Sequence, residues 1–420
     1  MREQQSFPEE HQIDGRRAYE FVKKCAFVRE AGTKAEKRVA EELVKELRDA
    51  GLEAGIEPFS FPHQKVLAEK LIVTEPYRKE YEITSLRKCK NTPETGMEAE
   101  FLYVENGDEV NLSHAKGKLV LINGPVNREK YESLRKAGVA GFLQIQGTPI
   151  DPPEDRKSAP SRIRGVEQPA VPCGAVHYLD ALELVERRAG KVRIVVRQEE
   201  VTGHSQNVTL RIPGSDRAEE ILTLTAHYDS VPQGPGAYDN LSGAAIILEL
   251  ARYFACHAPR RTLEFIWFGA EEKGLCGSLS YVKQHEEELG RHRFNMNVDL
   301  AGQRLGGTVF GVTAGSEVCD TIQEIMRKAD MGISVSRAVW GSDSNSFAWK
   351  GIPASTMDRD GFGMHTRYDT IDLISPEALE SGARMLGWIA WTLAMADEMP
   401  FAREVPEEFV QQLESAFGKR

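Results

Sequence analysis

The chain has 420 residues, of which 41% are hydrophobic and 28% charged, with a formal net charge of −11. That length allows two to three units of roughly 100–200 residues, each able to bury a core. The acidic balance argues against a nucleic-acid partner, which needs a basic face, and no window approaches the roughly 18 apolar residues of a membrane span. The stretch Met1-Arg-Glu-Gln-Gln-Ser-Phe carries no apolar leader core, and the six cysteines (Cys25, Cys89, Cys173, Cys256, Cys276, Cys319) form no Cys-x-x-Cys pair. The expectation is therefore a cytoplasmic protein with single, mostly buried thiols in a reducing compartment.

In chain order, Thr33-Lys-Ala-Glu36 has the form of a capping box, and Val39, Leu43 and Leu47 recur at helical spacing behind it until Gly51, which predicts an amphipathic helix. From about residue 60 the texture changes to short strand-like runs at 70–74, 99–104 and 118–122, broken by Gly, Pro and Asn. A helix over 128–137 follows, then a Pro-rich charged loop from 148 to 172, and a further helix and strand through 197. Residues 61–200 thus read as an inserted smaller domain of α+β, β-rich character. Beyond 205 the rhythm becomes strand, helix, strand: strands at 220–225, 262–268, 294–298, 333–336 and 353–357, and helices at 243–255, 317–329 and 376–398. Near-continuous apolar strands alternating with helices predict an α/β domain, residues 1–60 and 201–420, built on a mostly parallel mixed sheet flanked by helices.

In open α/β sheets functional groups gather beyond the carboxyl ends of the strands. Here those positions hold His227 and Asp229 after the first strand, Asp239 in the next loop, Glu271 and Glu272 after Phe268, then Asp299 and His365. Without a cation, Asp239, Glu272 and Asp299, with Glu271 beside them, would repel one another and raise their own pKa values. Two divalent ions balance three carboxylates and a hydroxide. Mixed imidazole and carboxylate ligation suits zinc, with cobalt or manganese as substitutes.

Five stretches then carry a resemblance: Ala226-His-Tyr-Asp-Ser-Val231, Ala237-Tyr-Asp-Asn-Leu-Ser-Gly243, Phe268-Gly-Ala-Glu-Glu-Lys-Gly274, Asn297-Val-Asp-Leu-Ala-Gly302 and Met364-His-Thr-Arg-Tyr-Asp-Thr370. In order and spacing they are similar to the motifs of the M28 family of co-catalytic zinc aminopeptidases, of zinc-exopeptidase, phosphorylase/hydrolase-like fold. The inserted segment is similar to the protease-associated domain of several members. The resemblance implies that His227 and Asp299 hold one zinc, Glu272 and His365 the other, and that Asp239 bridges both. It makes Glu271 the general base, with Asp229 fixing the His227 tautomer and Asp369 supporting His365. Peptides are the implied substrates, attacked at the N-terminal residue by a metal-activated water. The same fold admits carboxypeptidases, dipeptidases, one-zinc glutaminyl cyclases and receptor-like interaction proteins. His227 standing together with Asp299 argues against the cyclase, and the intact residue set argues against the receptor.

The chain also departs from the family. Met364 stands where many relatives have a tyrosine, which leaves Tyr238, Tyr368 or the zincs alone to steady an oxyanion. Ser342-Asp-Ser-Asn-Ser-Phe347 replaces a Ser-Asp-His pattern, and Trp340, Phe347 and Phe362 are candidates to line a side-chain pocket. His285-Glu-Glu-Glu-Leu289 opens like a zinc helix but lacks the second histidine, and reads as a solvated helix face. The inserted domain is expected to serve as a lid or a dimer surface, the latter making a homo-oligomer, with Arg162 and Arg164 as candidates to meet a substrate carboxylate.

Overall fold

A computed structural model describes residues 7, 8, 10–155, 157, 161–163 and 165–418; Arg164 lies outside the described residues. Two compact units emerge, Met1–Phe61 with Gly203–Arg420, and Pro62–Thr202. The division falls within two long strands, β1 (Gly55–Glu75) and β2 (Lys191–Ile212).

The larger unit opens with helices α1 (Gly15–Cys25) and α2 (Lys34–Asp49). Thr33 caps α2 by accepting from Glu36 N at 3.3 Å, but the Glu36 carboxylate reaches Gly32 N, at 2.7 Å, in place of the Thr33 N–H of a capping box. The sheet continues with β3 (Arg217–His227), β4 (Arg261–Phe268), β5 (His292–Val298), β6 (Thr308–Thr313), β7 (Ser334–Arg337) and β8 (Ala354–Arg359). Between and after them run α3 (Ser242–Cys256), α4 (Cys276–Gln284), α5 (Ser316–Lys328), α6 (Ser344–Trp349), α7 (Pro376–Met395) and α8 (Glu407–Phe417). The strand order is β7-β6-β8-β5-β3-β4-β2. Neighbours are parallel except β6 with β8 and β4 with β2, a mostly parallel mixed sheet.

Side-chain alternation on β4 shows why helices cover both faces. Leu263, Phe265 and Trp267 enter the main core with α1, α2, α3, α5 and α7, while Ile266 and Phe268 pack with Tyr281 of α4 and Phe347 of α6. Register then aligns the functional edge. Phe268 pairs with His227, and Asn297 pairs with Thr225, so the residues that leave β3, β4 and β5 do so side by side.

The second unit has its own core, in which Leu119, Val120, Leu121 and Ile122 are wholly buried. Its strands Met97–Tyr103, Leu119–Ile122, Gly141–Gln146 and Cys173–His177 are parallel in sequence, with β2 and the short Thr84–Ser85 antiparallel at either side. Helices Arg128–Ala137 and Tyr178–Glu186 accompany them. All six cysteines are free: Cys25, Cys89 and Cys173 are buried, whereas Cys256 is exposed. Among the described residues no helix is long and apolar enough to cross a membrane.

One expectation is corrected here. His285 caps the end of α4, and the stretch to Leu289 is turn followed by 3-10 helix, so it is no helix face; His285 Nε2 lies 3.0 Å from Glu57 Oε2.

Candidate metal centre and active site

Each residue of the rim is delivered by a strand end or by the loop beyond one. His227 is the last residue of β3 and is 1% exposed. Asp239 sits in the turn Ala237–Leu241 that feeds α3. Glu271 and Glu272 follow β4 through Gly269 and Ala270, the latter at φ +54°. Asp299 follows β5, and His365 stands in the loop beyond β8 at φ +60°.

These segments converge on Asp239. Its Oδ1 lies 3.1 Å from His227 Nε2, and its Oδ2 lies 3.1 Å from His365 Nε2. Asp299 Oδ1 is 3.3 Å from His227 Nε2, and Glu272 Oε1 is 3.2 Å from His365 Nε2. Two trios result, His227 with Asp239 and Asp299, and Asp239 with Glu272 and His365. Within each the ligand atoms lie within 4.8 Å of one another, close enough to hold an ion.

The supports of this arrangement differ in part from expectation. Asp229 Oδ1 is 3.5 Å from His227 Nδ1, a long approach for a hydrogen bond, and no nearer acceptor serves that buried nitrogen. Asp229 does more for the acidic pair: it accepts from Glu271 N at 3.0 Å and Glu272 N at 3.2 Å. Asp369 braces Asp239 in place of the expected His365, accepting from Tyr238 N at 2.6 Å and Asp239 N at 2.9 Å. Asn240 ties the turn to β5, donating to Val298 O at 2.7 Å and accepting from Gly243 N at 3.1 Å.

Sequence reasoning missed three supports. Arg29 is wholly buried and donates to the carbonyls of Tyr228, Asp229, Pro235 and Gly236, pinning the loop that leads to Asp239. Glu36 accepts from Ser205 Oγ at 2.5 Å and lies against the glycine at 269 that precedes the acidic pair. Asp343, the residue that precedes α6, is buried with neither carboxylate oxygen hydrogen-bonded. Arg29 acts on backbone some 200 residues away and no local pattern marks it; Glu36 was read only as a capping-box residue, and Asp343 stood within a stretch singled out above.

Charge crowding is visible in the proton affinities. Burial alone would make His227 shed its proton, yet Asp299, Asp229 and Asp239 together raise its pKa well above the usual value. His365 moves likewise: burial pulls down, but Asp239 and Glu272 prevail and push it up to about 11. Burial raises Glu271 well above the ordinary carboxyl range, with Glu272, Asp299 and Asp343 adding to the rise against His227. Glu272 is raised by burial and by Asp239. Asp343 reaches about 7 and Glu36 about 8, each chiefly through burial. A fully enclosed imidazole facing two carboxylates, and one carboxylate facing two imidazoles, form the mixed donor set that zinc takes, so the residues fit the implied metal.

Other candidates separate. Phe347 is wholly buried in the core with Phe268 and Tyr281 and lines no pocket, a correction. Trp340 packs over Gly311 of β6. Phe362 is 71% exposed and Met364 46%. Tyr238 donates its hydroxyl to Arg359 O, while Tyr368 Oη accepts from Arg367 Nη2 at 2.9 Å.

With that geometry in view, similarity to known proteins gains meaning. Over 397 residues the chain is 26% identical to carboxypeptidase Q of Bos taurus, covering 88% of this chain and 83% of that one. It is also 26% identical over 391 residues to aminopeptidase YwaD of Bacillus subtilis (strain 168), covering 88% and 82%. The structure of a zinc aminopeptidase from Bacillus subtilis shares the fold with a TM-score of 0.79 at 23% identity, covering 94% of this chain and 99% of that one. Residues 207–388, which carry both trios and the acidic pair, match the model of peptidase family M28.

Proposed function

We propose that this chain is an aminopeptidase that works with two zinc ions and removes N-terminal residues from peptides. The observation that carries the reading is the shared carboxylate: each oxygen of Asp239 faces a different imidazole, at 3.1 Å in both cases, so two ligand trios meet on one side chain. A zinc pair, when bound, supplies Lewis acidity toward a peptide carbonyl and acidifies a water. The remaining work falls to the side chains. Glu271, adjacent to the ligand Glu272 but outside both trios, has a proton affinity raised by burial, which suits it to accept a proton from the attacking water and return it to the leaving amine. Asp229, by accepting both backbone N–H groups of the pair, keeps one carboxylate on ligation and the other on proton transfer.

Similarity to carboxypeptidase Q over 88% of the chain supports a second reading, an exopeptidase that acts at a C-terminus or on dipeptides. One panel separates the two. With zinc-loaded protein, the first reading expects N-acetylation of a peptide to abolish turnover and C-terminal amidation to leave it intact, with a chelator stopping the reaction. The reverse pattern selects action at a C-terminus, turnover of free dipeptides that either block abolishes selects a dipeptidase, and a panel left wholly uncut removes both readings.

A further inference from the structure

We infer that Gln303 is a positioning residue for His365, a clip whose side-chain amide takes the place of a neighbouring strand. The inference rests on the zinc reading above and adds a residue outside the ligand set. Gln303 follows Asp299 by four residues and is 7% exposed. Its amide makes the two bonds that a backbone peptide would make: Nε2 donates to Phe362 O at 2.6 Å, and Oε1 accepts from Phe362 N at 2.9 Å. Donor and acceptor are both used, so the amide has a single satisfactory orientation.

The loop so held needs holding. Phe362 lies three residues before His365 and is 71% exposed, so burial of apolar surface does little to fix it. His365 itself adopts a left-handed φ of +60°, and its side chain is 45% exposed. A second observation shows how closely the loop is seated. A Cβ at Gly361 would stand 2.7 Å from Gln303 Cδ and 2.6 Å from Tyr238 Cζ, so the main chain passes directly against the clip.

Gln303 is anchored in turn. Its carbonyl accepts from Arg359 Nε at 2.6 Å, and Arg359 O accepts the hydroxyl of Tyr238, the residue before Asp239. One turn thus carries Asp299, a member of the first trio, and secures the loop that presents His365 to the second. The His227 trio draws its imidazole from a strand end, outside the loop that the clip holds. Loss of the amide therefore weakens zinc at the trio of Asp239, Glu272 and His365 and spares the other.

Gln303→Met, similar in length and without the amide, tests this by two readouts. In metal-free protein, amide hydrogen exchange over 360–366 is expected to quicken by about 10-fold or more, with β3 to β5 unchanged. At buffered free zinc, the variant is expected to hold one ion where the parent holds two, the affected position losing affinity by about 10- to 100-fold. Gln303→Glu keeps the acceptor for Phe362 N but loses the donor, and is expected to fall between; it decides the matter should the Met variant not fold. Unchanged exchange, or two zinc positions of parental affinity in the folded variant, overturns the clip. A parent chain that takes up no zinc overturns the zinc reading and the clip's metal role together, whatever the exchange shows.

Discussion

Glu271 and Glu272 are neighbours in sequence, yet only Glu272 belongs to a trio, with its Oε1 at 3.2 Å from His365 Nε2. On the proposed reading Glu271 is a base that does not ligate, and it can be removed without emptying the centre. Glu271→Gln is accordingly expected to lower kcat by on the order of 10²- to 10⁴-fold while zinc uptake stays at the parental level. Turnover at the parental rate would assign the proton to another group. The pair was legible in the sequence because the run Thr262-Leu-Glu-Phe-Ile-Trp-Phe268 reads as a buried strand, and two acids at its end then stand on a sheet rim. Arg29 was not legible. Its partners are carbonyls at 228–236, and a guanidinium that binds only backbone leaves no complementary residue for a reader to find.

At the scale of elements, glycines explain much of what the sequence concealed. Residue 15 opens α1, and a Cβ there would collide with Pro376 O and stand 2.8 Å from Glu380 Cβ on α7. Close helix approach at this residue seats α1 together with its short apolar stripe of Ala18, Phe21, Val22 and Cys25. Gly15→Ala should destabilise the fold by about 1–3 kcal/mol through overpacking, measured by denaturant unfolding; a neutral or stabilising change would show that α7 yields easily. In β6, Thr308-Val-Phe-Gly-Val-Thr313, Gly311 resembles a strand breaker, but the indole of Trp340 occupies the space a Cβ would take. The long strands β3, β4 and β5 and helix α7 were readable because their apolar periodicity outlasts such exceptions.

For the molecule as a whole, the proposed reading makes proton and metal compete for the same imidazoles. His227 and His365 have raised proton affinities in the metal-free chain, so their ion pairs with Asp239, Asp299 and Glu272 stabilise it fully below the unfolded imidazole pKa of about 6.5, and that contribution fades as pH rises toward about 11 for His365. Zinc needs the imidazoles neutral, so its affinity moves the other way and strengthens with pH. The melting-temperature gap between zinc-loaded and metal-free protein should therefore widen from about pH 6 to about pH 8, and zinc uptake near neutrality should release protons, read by calorimetry in buffers of different ionisation enthalpy. A gap that narrows over that interval would contradict the assignment. The division of the chain near 61 and 203 shows in the sequence as a change from long apolar periods to short interrupted runs. Asp239 has one last consequence. A carboxylate presents two equivalent faces to its neighbours, whereas an amide of the same shape has one lone-pair-bearing end and one end that cannot ligate. Asp239→Asn would make the junction choose a side, and counting zinc by mass spectrometry of the native protein should find one ion where the two-zinc reading expects two in the parent.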